Sequence, residues 1–105
     1  MNARIVNCVE SMGPSGEAAQ ELAVAGTAVS AAALGERTNA AMVSVKTNDV
    51  LCTLDGTAPV TATAVGMLLV KGYFAVWSRR MVAAAKFIEA VGSAAGVVRI
   101  EPLRE

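Results

Sequence analysis

Val43-Ser44-Val45-Lys46-Thr47, then Asn48-Asp49, then Val50-Leu51-Cys52-Thr53-Leu54, then Asp55-Gly56-Thr57-Ala58-Pro59 is the stretch that decides the fold class. Val43 and Val45 alternate with Ser44 and Lys46, the period of a half-buried strand. Asn48 and Asp49 both tolerate positive φ, so they read as a two-residue hairpin turn. A turn of that length sets Thr47 against Val50, Val45 against Cys52 and Val43 against Leu54. The apolar members then share one face, and Leu51 faces the other way. Asp55-Gly56 reads as a second tight turn: Asp55 can accept from amides ahead of it, and Gly56 supplies the positive φ.

The rest of the 105 residues extends this pattern. Arg4 to Val9 alternates loosely and reads as a strand. Glu10 to Glu21 holds Ser-Met-Gly-Pro-Ser-Gly and reads as loop, so about residues 1–21 form an extended N-terminal segment. Leu22 to Val29 reads as strand, and alanine-rich Ser30 to Leu34 as one helical turn ended by Gly35. Thr57 to Thr63 is an extended loop. Gly66 to Val70 and Tyr73 to Ser78 are strands around Lys71-Gly72, and Arg79 to Ala85 is a short helical crossover. Phe87 to Val91 resumes strand, Gly92 to Gly96 is a hairpin-like loop, and Val97 to Ile100 is a last strand ended by Pro102. Seven or eight short strands with turns every eight to twelve residues predict an all-β protein, a small antiparallel β-sandwich of jelly-roll or immunoglobulin type with at most one short helix. The length predicts a single domain over 1–105.

Composition narrows function. Nine basic and nine acidic residues balance, which gives no basic face for nucleic acid. Arg79-Arg80 is the one local basic cluster and reads as a solvated turn. The hydrophobic share is 54%, much of it alanine, and so high a share in a small chain points to surface covered by neighbours and to a homo-oligomer. The apolar-rich run Ala62 to Trp77 is interrupted and too short for a membrane span. No apolar signal region follows Arg4, which predicts synthesis in the cytoplasm. Cys8 and Cys52 lack metal-site spacing and read as buried free thiols.

The sequence contains no histidine. Nucleophile systems built on Ser-His or Cys-His are thereby excluded, and with them most zinc sites. The carboxylates sit in turns or near the ends, and no phosphate-cradling glycine motif occurs. Asp49 and Asp55 flank one strand and read as turn caps rather than calcium ligands, because calcium takes six or more oxygens. The expectation is a protein without catalytic residues, metal or cofactor. Trp77 reads as a core or interface anchor. Tyr73 and Phe74 fall on opposite faces of their strand, so one of them faces a neighbour or solvent.

Leu54-Asp55-Gly56-Thr57-Ala58-Pro59, then Gly66 with apolar residues, Gly72, Ala85-Lys86-Phe87-Ile88 and Val97-Val98-Arg99-Ile100 occur in an order that resembles small β-sandwich virion proteins of tailed bacteriophages. Val60 stands where that pattern has threonine, and the segment after Gly72 is more aromatic than the pattern. The resemblance, over roughly Thr27 to Ile100, implies a structural component of the virion. A capsid decoration or cement protein bound to the major capsid protein is the first expectation, and a neck, collar or tail accessory protein the alternative. Tyr73, Trp77, Arg79 and Arg80 are the expected partner contacts, with Asn48, Asp49, Asp55 and Gly56 as structural turns. The Asp-Gly-Thr-x-Pro turn is also similar to one in chitobiase-type C-terminal modules, although Leu51-Cys52-Thr53 does not match their tyrosine-rich strand. A carbohydrate-binding sandwich with Trp77 and Tyr73 as its platform is the expectation from a different functional class.

Overall fold

The computed structural model describes residues 13–60, 66–90 and 94–104. Eight strands and one short helix follow in chain order: β1 (Gly13–Pro14), β2 (Gln20–Val24), β3 (Ala40–Val45), β4 (Val50–Thr53), β5 (Met67–Leu69), β6 (Phe74–Ser78), α1 (Arg79–Ala84), β7 (Lys86–Glu89) and β8 (Gly96–Arg104). They build two antiparallel sheets. The larger runs β1-β8-β3-β6, with β2 beside β1 along the same edge of β8; the smaller runs β5-β4-β7. The fold is thus the predicted mostly-β, two-sheet architecture with one short helix.

The core lies between the sheets. Val43, Val45, Val98, Ile100 and Trp77 of the larger sheet pack with Val50, Cys52, Leu69 and Phe87 of the smaller, and Val82 of α1 joins them. Alternation along β3 explains the layering: Ala41, Val43 and Val45 are buried while Met42 and Ser44 are half-exposed, as the two faces of a pleated strand require. Leu51 faces away from this core, as expected. It forms a second small cluster with Ile88 and Ala90, opposite Ile88 in the β4–β7 register.

The Asn48-Asp49 turn differs from expectation. β3 pairs with β6 and β8, whereas β4 pairs with β5 and β7. The two strands are joined by an arch between sheets, not a hairpin within one. Val43 and Val45 still meet Val50 and Cys52, but face to face across the core rather than side by side. Bonds to distant segments hold the arch: Lys46 N donates to Val97 O at 2.8 Å, Asn48 Nδ2 to Ala95 O at 2.9 Å, and Lys71 N to Asp49 Oδ1 at 2.7 Å. Gly96 belongs to the same device, since a Cβ there would lie 2.9 Å from Asn48 O.

Three further expectations are corrected. Ser30 to Leu34 is not helical. The Gln20 side chain brackets Ala32, accepting from its N at 2.8 Å and donating to its O at 3.1 Å, and these long-range bonds outweigh alanine's helix preference. β8 does not stop at Pro102 but continues to Arg104. Val97 O accepts from Lys46 N, one residue past β3, and Pro102 O accepts from Ser15 N on the opposite side. By alternation the Pro102 nitrogen therefore points toward the β1/β2 edge. There it faces the gap between β2, whose pairing ends at Ile100, and β1, whose pairing begins at Leu103, so no ladder bond is lost. Finally, β7 and β8 lie in different sheets, so these two strands do not form a hairpin; residues 92 and 93 of the expected hairpin-like loop lie outside the described residues.

Leu22 to Val29 was expected as one strand, and it changes sheets midway. β2 leaves the larger sheet at Val24. The chain then runs beside β7, with Glu89 N donating to Ala25 O at 2.9 Å and Val29 and Phe87 exchanging bonds of 2.9 and 2.8 Å. The strand read at Arg4 to Val9, and Cys8 within it, lie outside the described residues.

Candidate interaction surface

The edges of both sheets meet at the turn between β5 and β6. Lys71 N is held by the Asp49 carboxylate, Tyr73 N donates to Val70 O at 2.9 Å and Gly72 N to Val45 O at 2.9 Å. The turn fixes the phase of β6. Trp77 and Ala75 point to the core side, so Phe74 and Val76 point outward. Phe74 is 70% exposed, the most exposed of the large apolar residues among those described, and Leu68 and Val70 are 54% and 51% exposed. Among the described residues, β6 pairs only with β3 and β5 only with β4. Each strand thus presents an open edge with apolar side chains beside it.

Trp77 is an interior residue. It is 2% exposed, stacks nearly parallel on Phe87 (centroids 6.1 Å apart, planes at 14°) and meets Tyr73 edge-on at 6.5 Å. Its Nε1 donates to the Tyr73 hydroxyl at 3.0 Å. The core therefore encloses the ring that would have served as a partner contact or sugar platform. Tyr73, half-buried, caps it.

Arg79 also works within the fold. Its guanidinium donates to Thr38 O and Leu34 O, both at 2.9 Å, and to Gly35 O. Glu17 grips the same loop from the other side, accepting from Thr38 Oγ1 at 2.6 Å and Gly35 N at 3.0 Å. These bonds, the Thr38 hydroxyl foremost, and the nearby Arg79 charge hold the Glu17 carboxyl below its usual range. Arg80 is exposed on α1. Ser78 starts that helix, its Oγ accepting from Met81 N at 3.2 Å.

Asp55 caps its turn as expected. Its Oδ1 accepts from Thr57 N at 2.9 Å, a contact that lowers its carboxyl, and Gly56 has φ +86°. Thr53 Oγ1 donates to Thr57 O across the same turn. An open depression of about 510 Å³ lies here, lined by Cys52, Thr53, Leu54, Asp55, Thr57, Gly66 and Met67. Burial pushes the Cys52 thiol up to about 11, so it is protonated and a weak nucleophile at neutral pH. On the outer face of the larger sheet, Glu21 takes Lys46 at 3.0 Å and Arg99 at 2.7 Å, and Arg99 reaches Glu101 at 2.6 Å. This ladder is solvent-exposed and contributes little to stability.

Of the residues singled out in the sequence, Tyr73 and Trp77 are brought together, Arg79 lies on the other flank of β6, and the turn residues hold loops. Phe74, Leu68 and Val70 were not among the expected contacts. The parity of Phe74 against Trp77 is the signal that finds it: a tryptophan committed to the core puts the residue three before it on the surface. Among the described residues no helix is long and apolar enough to cross a membrane, and no cluster of His, Cys, Asp or Glu could hold a metal.

Fold and surface together define a small two-sheet antiparallel β protein whose β5 and β6, among the described residues, are edge strands with exposed apolar side chains. No protein-family model, curated protein or solved structure matches the chain.

Proposed function

We propose that this chain is a structural protein of a tailed-phage virion, a capsid decoration protein that binds and stabilises the lattice of the major capsid protein. A neck, collar or tail accessory role is the alternative within the same class. The observation that carries the reading is that Leu68, Val70 and Phe74 lie exposed on or beside β5 and β6, which among the described residues are edge strands; exposed apolar side chains beside a sheet edge favour contact with a partner. The order of motifs from Leu54 to Ile100 supplies the kind of assembly. Its action is binding: many copies on a repeating lattice turn weak single contacts into firm attachment. The carbohydrate-platform reading is not favoured, because Phe87 covers a face of Trp77.

The test is to purify the particles whose genome encodes the chain and to add recombinant chain to capsids lacking it. The reading expects the chain in the virion, binding that saturates at a fixed number per capsid, and a higher capsid melting temperature. A virion without the chain, or capsids that leave it in the supernatant, would overturn it.

A further inference from the structure

We propose that β6 is a self-complementary edge through which two copies of this chain pair antiparallel about a two-fold axis. The backbone polarity of β6 comes first. Val45 N donates to Tyr73 O at 2.9 Å and Arg79 N to Asn39 O at 3.0 Å, so the odd-numbered residues turn their peptide groups toward β3. Alternation then directs the amides and carbonyls of Phe74 and Val76 away from β3, to the side where, among the described residues, no strand lies. Water satisfies such a row in the monomer, and a second strand laid alongside satisfies it with backbone bonds.

The chemistry of the edge selects a second copy. From Gly72 to Ser78 there is no charged residue and no proline, so two of the usual devices against edge pairing are missing from the strand itself. A copy laid alongside brings no like charges together within the paired segment. With Phe74 opposite Val76 of the copy, and Val76 opposite its Phe74, both residues make a full set of ladder bonds and the two Ala75 residues meet at the axis. On the outer face Met42 lies opposite Val76 in the β3–β6 register. The row Met42–Val76 thus continues into Phe74 of the copy, and an exposed phenyl ring becomes covered. At the ends Lys71 nears Arg79 of the copy, but that guanidinium is turned onto the carbonyls of residues 34, 35 and 38. The inference goes beyond the particle reading and does not depend on it.

One strand pair is a small interface, so the dimer should dissociate at about micromolar concentration. Sedimentation equilibrium of the full chain from about 1 to about 300 µM reads this directly, with Phe74→Lys and Val76→Pro as variants. Lysine at an exposed edge position and proline at an outward-facing amide leave the β3–β6 ladder intact. The expected result is a wild-type monomer–dimer equilibrium, weakened at least about tenfold in both variants, with circular dichroism unchanged. If Val76→Pro does not fold, Phe74→Lys decides alone. A wild type that stays monomeric throughout, or a dimer or larger oligomer that persists in Phe74→Lys, would overturn the proposal. A dimer that forms as expected in a chain absent from virions would overturn the particle reading only.

Discussion

Replacing Trp77 with alanine tests whether this ring holds the two sheets together. The indole is 2% exposed and lies between Phe87 of the smaller sheet and Tyr73, so its removal leaves a cavity lined from both sheets. Large aromatic-to-alanine changes in a core cost about 3–5 kcal/mol through lost transfer energy and the unfilled space. Loss of the Nε1–Tyr73 bond adds little, because the half-buried Tyr73 hydroxyl regains a partner in water. A cost of about 4 kcal/mol is expected, a large part of the stability of a small domain. The assay is urea unfolding followed by far-ultraviolet circular dichroism, since the variant loses its only tryptophan. Tyr73→Phe is the companion: it keeps the ring but strands the buried Nε1, and should cost about 1–2 kcal/mol while leaving Trp77 emission blue-shifted. A Trp77→Ala variant within about 1 kcal/mol of wild type would refute the interior placement.

Arg79→Ala should destabilise by about 1–2 kcal/mol, measured by urea unfolding, because three carbonyls lose a forked donor at a part-exposed site; Arg79→Lys should not restore the loss, since an ammonium cannot span them. The Cys52 thiol ionises near 9 unfolded but near 11 folded. The Cys52 contribution to stability should therefore be level below pH 9 and fall between pH 9 and 11, as the unfolded chain gives up its proton first; Cys52→Ala should flatten that fall. Glu17 has the opposite sign. Its carboxyl is lowered in the fold, so its contribution is present above the ordinary value of 4.5 and is lost as pH drops through the folded value. Glu17→Gln should weaken the acid-side decline in melting temperature, and an unchanged decline would argue against the Glu17–Thr38 contact.

The alternation of Val43 and Val45, the turn at Asp55-Gly56 and the phase of Leu51 were legible because each depends on neighbours in sequence. The arch at Asn48-Asp49 was not. Placing Val43, Val45, Val50 and Cys52 in one core is satisfied equally by a hairpin and by an arch, and what decides is the bonding of Lys46, Asn48 and Asp49 to Val97, Ala95 and Lys71. Ser30 to Leu34 fails as a helix for the same reason: its bracket is the side chain of Gln20, many residues away. Pro102 looks like a stop because proline lacks an amide hydrogen, yet it sits where the sheet needs none. At the candidate surface, Trp77 was identifiable as an anchor but not assignable to core or contact. Its burial against Phe87 settles that choice and, by parity, exposes Phe74.

Amide hydrogen exchange resolved by residue tests the proposal that β6 is an edge strand through which the chain assembles. In dilute monomer, Ala75 and Trp77 should exchange slowly, because their amides bond to β3, while Phe74 and Val76 exchange fast. At high concentration, or bound in the particle, Phe74 and Val76 should become protected and Ala75 and Trp77 remain so. Phe74 and Val76 amides that stay fast in the assembled state, or are already protected in the monomer, would contradict it.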